Sequence, residues 1–278
     1  MGVIGEILRS RELLANLVMR EVRGQYKRTV FGQLWSLVNP LVQMLIYTLV
    51  FNFILRVTPQ PGDPSGLHIF PLWLLCGLLP WAFFSSALQG GMKSLTSSVG
   101  LVQKVYFPRI VLPLSRVGAT AYNWLFEMAV LLIVLTIAGA WVLPYLPLMI
   151  VTMVLLAMFG LGLGLMLSIV NVHFRDTEYL IGLVLQIWMY LTPIIYPASL
   201  MKSQSDQLGG LFGTDITLYW LYRLNPMERF VEIFRNLLYD NRLPSLGDFG
   251  FVTLAALIAL ALGLLIFKRN EKGLAEAL

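Results

Sequence analysis

Charge is scarce in this 278-residue chain: Asp, Glu, Lys and Arg supply 13% of it, hydrophobic residues 58%. Soluble domains carry roughly 25% charged residues, so the shortage excludes an ordinary water-facing fold. Cysteine is scarcer still. Cys76 stands alone inside an apolar run, which excludes an intramolecular disulfide and any C-x-x-C metal or redox pair. The two histidines, His68 and His173, are far apart and have no ligand constellation around them. No G-x-x-x-x-G-K followed by Ser or Thr occurs, and GGMKS at Gly90–Ser94 has the wrong spacing to cradle phosphates. The chain is therefore expected to bind no ATP itself. Neither G-x-S-x-G nor H-E-x-x-H is found, so no familiar hydrolase or metalloprotease site is expected. The amino terminus, MGVIGEILRSRELL, lacks a cleavable signal core and the Ser or Thr of a myristoylation signal. Its first apolar block is expected to stay as a span.

Long hydrophobic runs are what the chain has in quantity. In REVRGQYKRTVFGQLWSLVNPLVQMLIYTLVFNFILRV, from Arg20 to Val57, a basic amphipathic segment passes through Trp35 and Asn39–Pro40 into an uncharged stretch closed by Arg56. Such a stretch suits a bilayer core roughly 30 Å thick, and the cations before it favour the cytoplasmic side. Residues 4 to 22 put Ile4, Ile7, Leu8, Leu14, Leu17 and Val18 near one helical face, the pattern of a helix lying in the membrane interface. Six spans are expected, over Leu34–Leu55, Ile69–Leu88, Val111–Trp141, Leu146–Val170, Tyr179–Tyr196 and Phe249–Phe267. With that topology only Arg56, Lys202, Arg223, Arg229, Arg235 and Arg242 lie outside, which leaves 14 of the 20 Lys and Arg on the cytoplasmic side with both termini. The net charge of +5 then reflects this bias and anionic lipid, with no nucleic acid partner expected.

One polytopic all-α membrane domain, 1–278, follows. It divides into an interface segment (1–33), spans one to five (34–196), an external section (197–248), span six (249–267) and a cytoplasmic tail (268–278). The external section ends in LNPMERFVEIFRNLLYD. There Asn225 can cap, Pro226 suits the first helical position, Glu228 favours the dipole, and Met227, Phe230, Val231, Phe234, Leu237 and Leu238 form an apolar stripe. Such a helix lies on the outer surface or re-enters the membrane. GLGLG at Gly160–Gly164 would let another helix approach closely, from this chain or a second copy.

The segment REVRGQYKRTVFGQLWSLVNPL resembles the start of the permease subunits of type-2 ATP-binding-cassette exporters, in the branch that exports O-antigens, capsules and teichoic acids. Further matching elements follow in order: GLLPWAFFSSAL at Gly77–Leu88, LVQKVYFPRIVLPLS at Leu101–Ser115, NVHFRDTEYL at Asn171–Leu180, LTPIIYP at Leu191–Pro197, and LNPMERFVEIFR at Leu224–Arg235. The resemblance covers nearly the whole chain. It implies a homodimeric permease in the bacterial cytoplasmic membrane, joined to two copies of a separate ATPase that binds ATP and Mg, with external helices gating a conduit for a lipid-linked polysaccharide.

It also implies a coupling helix between spans two and three, matching Lys93–Arg109. Leu101, Val105 and Phe107 can present an apolar face, and Lys104 and Arg109 can pair with acidic residues of the ATPase. The alternative is an ordinary loop anchored to lipid headgroups. Asn39, Gln43, Tyr47 and Phe51 recur every fourth residue on one helical face, and Gln186 and Tyr190 repeat the spacing. A polar face at membrane depth points to protein or water. Amides bond sugar hydroxyls and aromatic rings stack on pyranose faces, so these six residues are candidate conduit walls; interhelical hydrogen bonding is the plainer use. Arg23, Lys27, Arg28 and Arg175 are expected at an anionic lipid headgroup. His173, Asp176 and Glu178 are expected, with Arg175, to order the inner turn through local ion pairs and capping. Glu127, alone in an apolar run, is partnered, protonated or near water. Rival functions are export of a drug or lipid by the same fold, and a membrane-embedded enzyme acting on lipid-linked sugars. The enzyme would need a carboxylate or histidine constellation that the sequence does not show.

Overall fold

The computed structural model describes residues 5, 9–27, 29–54, 56, 61–105, 107–208 and 217–274. Arg28, Ile4, Ile7 and Leu8 fall outside that set, as do the side chains of Phe51 and Lys272. Among the described residues the architecture is helical. The elements are α1 (Arg11–Gln25), α2 (Trp35–Tyr47), α3 (Phe70–Lys93), α4 (Val99–Lys104), α5 (Val111–Ile137), α6 (Leu146–His173), α7 (Thr177–Tyr190), α8 (Ala198–Leu208), α9 (Leu218–Tyr222), α10 (Pro226–Arg235) and α11 (Leu246–Asn270). Among the described residues, four helical segments are long and apolar enough to cross a membrane: Phe70–Lys93, Val111–Ile137, Leu143–His173 and Leu246–Asn270. Two of the six expected crossings are shorter. The first is α2, continued by a π-helical turn over Thr48–Ile54; the other is the 14-residue α7.

Local chemistry explains where these helices stop. The run expected over Val111–Trp141 ends at Ile137, because Gly139 has φ 98°, open to glycine but strained for other residues. Pro144 then opens the next helix. The run expected over Tyr179–Tyr196 leaves the helix at Tyr190 and passes through turns ahead of Pro193, which cannot donate to a helical ladder. At α11, Ser245 caps, accepting a hydrogen bond from the Asp248 amide at 3.0 Å.

The core forms around α3, which buries 17 residues including Phe83, Phe84 and Trp81. Phe83 stacks on Trp124 of α5 with centroids 4.0 Å apart, and Phe84 stacks on Phe159 of α6 at 5.5 Å. GLGLG packs within the chain: Gly162 meets Ala259 and Gly263 of α11, and Gly164 meets Gly91 of α3. Lipid tails are as apolar as leucine, so close approach, not water exclusion, holds such crossings. A second cluster gathers Leu17 of α1, Val102 of α4, Ile169 and Val172 of α6, and Phe267 and Leu274 near the carboxyl end. Both terminal segments therefore meet at one end of the bundle. There α1 turns Leu17 and Val18 toward α5, Val18 lying against Gly118, so part of the stripe expected to meet lipid meets protein.

Candidate functional site

Three regions hold the candidate residues. On α2, Asn39 and Gln43 are exposed, and Tyr47 is half-buried against the main core. On α7, Gln186 and Tyr190 are exposed, Tyr190 by 58%. Tyr190 also accepts a hydrogen bond on its carbonyl from the Tyr196 hydroxyl at 2.9 Å. The α7 helix buries only Thr177 and Leu185 of its 14 residues, leaving most of its surface free. Beside α2, a cavity of about 410 Å³ runs between α2, α3 and α5. Glu127 is the one ionisable group in its lining, among Leu37, Leu41, Met44 and Leu131.

The second region is the segment between α3 and α5. Lys104 and Val105 point outward, Val105 with 52% exposure. Leu101 and Phe107 instead pack on the second core cluster. Arg109 is held within the chain: its amide donates to the Glu271 carboxylate at 3.1 Å and its guanidinium to the Glu271 carbonyl. An arginine expected to reach for a partner thus braces the segment against the carboxyl-terminal turn. At the other end, Lys93 pairs with Glu178 at 3.2 Å, and Asn171 donates to the same carboxylate at 3.1 Å. The ion pair expected within the inner turn is made across two helices. Arg23 and Lys27 line a basic groove of about 670 Å³ with Asn16 and Arg20. Arg175 is exposed at the α6–α7 turn and does not line that groove. Among the described residues, no group of three or more His, Cys, Asp or Glu is placed to hold a metal.

The third region surrounds α10. The apolar stripe is fully inside the bundle, with Met227, Phe230, Val231 and Phe234 at 0% exposure. Phe230 meets Phe159 and Phe234 meets Trp124. Asn225 does cap α10, accepting from the Met227 amide at 3.0 Å, and it also accepts from Trp188 Nε1 at 2.8 Å while donating to Thr192 Oγ1 at 3.1 Å. Arg235 has a role that sequence reasoning did not see. Counted as an external cation, it is 7% exposed and lies 3.6 Å above the Trp73 ring. Its guanidinium donates to the Ile194 carbonyl at 2.7 Å, to the Pro193 carbonyl, and to Trp73 O at 3.5 Å. The overlooked signal was Pro193 in LTPIIYP: a proline that ends a helix frees carbonyls, and buried carbonyls need donors. Glu228 is fully buried with neither carboxylate oxygen hydrogen-bonded among the described residues, and burial with Glu232 nearby raises its carboxyl above the usual range.

With that geometry in place, relatives are informative. The chain is 28% identical over 276 residues to the O-antigen export system permease protein RfbA of Myxococcus xanthus, covering 99% of each. It is 26% identical over 272 residues to RfbA of Klebsiella pneumoniae, covering 96% of this chain and 95% of that one. It is also 25% identical over 265 residues to the polysialic acid transport protein KpsM of Escherichia coli, covering 93% of each. The family model of ABC-2 type transporters matches residues 12–239, and the chain belongs to that family.

Proposed function

We propose that this chain is the permease subunit of an ATP-driven exporter that moves a lipid-linked polysaccharide outward across a bacterial cytoplasmic membrane. The observation that carries the reading is a pair of polar, aromatic faces on otherwise apolar helices. Asn39 and Gln43 lead to Tyr47 on one, Gln186 leads to Tyr190 on the other, and Asn39, Gln43, Gln186 and Tyr190 are exposed. Amides and rings in series offer a sliding sugar polymer many weak contacts and no deep trap. The long relatives named for O-antigen and polysialic acid transport support the same substrate class.

In this reading two copies face each other and enclose the conduit. The four long helices, together with Trp35–Ile54 and Thr177–Tyr190, make six crossings, and both termini are cytoplasmic. The external section 197–248 re-enters through α10 and gates the outer end. Two ATPase subunits bind ATP and Mg and dock against the 93–109 segment, with Val105 and Lys104 as contacts, Leu101 and Phe107 as their support, and Arg109 as a brace. ATP binding draws the ATPases together and changes the spacing of the permease halves. Arg23, Lys27, Arg28 and Arg175 receive the anionic lipid headgroup. This chain performs no covalent chemistry.

The test is polymer export from vesicles holding the complete complex. Tyr47→Ala with Tyr190→Ala should lower the export rate about tenfold or more at equal protein levels, taking as guide the roughly 1–3 kcal/mol that an aromatic side chain contributes by stacking on a nucleic-acid base. Unchanged polymer export would remove these faces from the pathway. Transport of a small amphipathic drug in place of polymer would favour the drug-export rival.

A further inference from the structure

The 93–109 segment is tied to the rest of the chain at three places. Arg116 donates to Ser97 Oγ at 3.1 Å and pairs with Glu21 of α1 at 2.6 Å. Arg109 is held by Glu271. The third tie is the Glu178 carboxylate, whose Oε2 lies 3.2 Å from Lys93 Nζ while Oε1 accepts from Asn171 Nδ2 at 3.1 Å. Asn171 is wholly buried near the end of α6, and the same Nδ2 reaches Thr96 Oγ1 at 3.3 Å and Met92 O at 3.5 Å. One amide and one carboxylate thus join the end of α3, the start of the following segment, the end of α6 and the base of α7.

Of the three ties, only this one reaches α7. That helix is poorly embedded, with Thr177 and Leu185 its only buried residues, so its position is set at its ends. The outer end is fixed through Trp188 and Thr192 to Asn225. The inner end is fixed by Glu178. Gln186 and Tyr190 follow on the same rigid rod, Tyr190 about 18 Å along from Glu178 at 1.5 Å per residue.

We propose that Glu178, gripped by Lys93 and Asn171, is the positioning residue through which movement of the 93–109 segment reaches α7 and its Gln186–Tyr190 face. The inference rests on the exporter reading above, and deepens it by naming the link between ATPase contact and conduit wall. A purely structural pair predicts something different. Both side chains are substantially exposed, Lys93 by 46% and Glu178 by 34%, and pairs of that kind add little to stability. Loss of the pair should therefore leave the fold standing and uncouple it.

The experiment counts polymer chains exported per ATP hydrolysed by vesicles holding the complete complex. Glu178→Gln should unfold within a few degrees of the wild type yet export about tenfold fewer chains per ATP, the size of an ordinary coupling between sites. Joining Lys93→Cys to Glu178→Cys with a short bifunctional thiol reagent should restore the ratio, because the two ends move as one body; Cys76 is buried and does not compete. A wild-type ratio in Glu178→Gln, or export blocked by the cross-link, would overturn the proposal. Absence of export by every chain, the wild type included, refutes the exporter reading and with it the link, and is told apart by the wild-type vesicles alone.

Discussion

Valine at Gly162 is expected to cost about 3 kcal/mol or more of stability, at or beyond the upper end of ordinary overpacking. Glycine there lets α6 and α11 cross backbone to backbone. A Cβ at Gly162 would run into the Ala259 carbonyl group and stand 2.5 Å from the Leu260 nitrogen, while one at Gly263 would stand 2.9 Å from the Gly162 Cα. Real side chains do not approach backbone so closely, and backbone on both sides leaves nothing flexible to yield. In a bilayer, opening that crossing loses the dispersion contact that holds the two helices together. Gly160 differs: a Cβ there would sit 3.5 Å from the Ala87 methyl, an ordinary contact. Thermal unfolding of the detergent-solubilised protein, followed by tryptophan fluorescence, should show Gly162→Val melting well below the wild type and Gly160→Ala close to it. Equal melting of Gly162→Val and the wild type would contradict the crossing.

Arg235→Met is the second large effect. Methionine keeps apolar volume near Trp73 but removes the donors to Pro193, Ile194 and Trp73. A buried acceptor left unpaired costs about 1–3 kcal/mol, and the stacked cation adds roughly 2 kcal/mol when desolvated. The expected loss is about 3–5 kcal/mol, comparable with breaking a buried charged pair. Arg235→Lys should recover only part of it, since an ammonium cannot span two adjacent carbonyls and stack at once. The same fluorescence melt checks both variants. A wild-type melt for Arg235→Met would mean that the carbonyls find other donors and that Arg235 does not pin the end of α7 to α10.

These two residues also mark the limit of what could be read in sequence. Features set by neighbours in the chain were legible: the Asn225 cap, Pro226 at the helix start, and the stripe from Met227 to Leu238 all stand as expected. The long apolar runs were legible for the same reason. What depends on distant partners was not. GLGLG announced a close approach, but the choice of Gly263 lies about a hundred positions away in Gly162's own chain. The burial of Arg235 could not be read ahead because its partners are main-chain carbonyls, which carry no side-chain signature. Apolar length alone also overran the ends set by Gly139 and by Pro193, since hydropathy does not register where a backbone can no longer continue a helix. Of the candidate site, the spacing of Asn39, Gln43 and Tyr47 was visible in the sequence, while the half-burial of Tyr47 against the main core needed the fold. Arg109 was visible as a cation, but its engagement by Glu271 was not.

A permease of this kind is driven by a separate ATPase. The most direct measurement is polymer translocation by vesicles reconstituted with this chain, its ATPase partner and a lipid-linked polysaccharide. Transport should require ATP and both proteins, and the chain should purify in stable association with the ATPase. Transport by this chain without the ATPase, or failure of the two to associate, would contradict it.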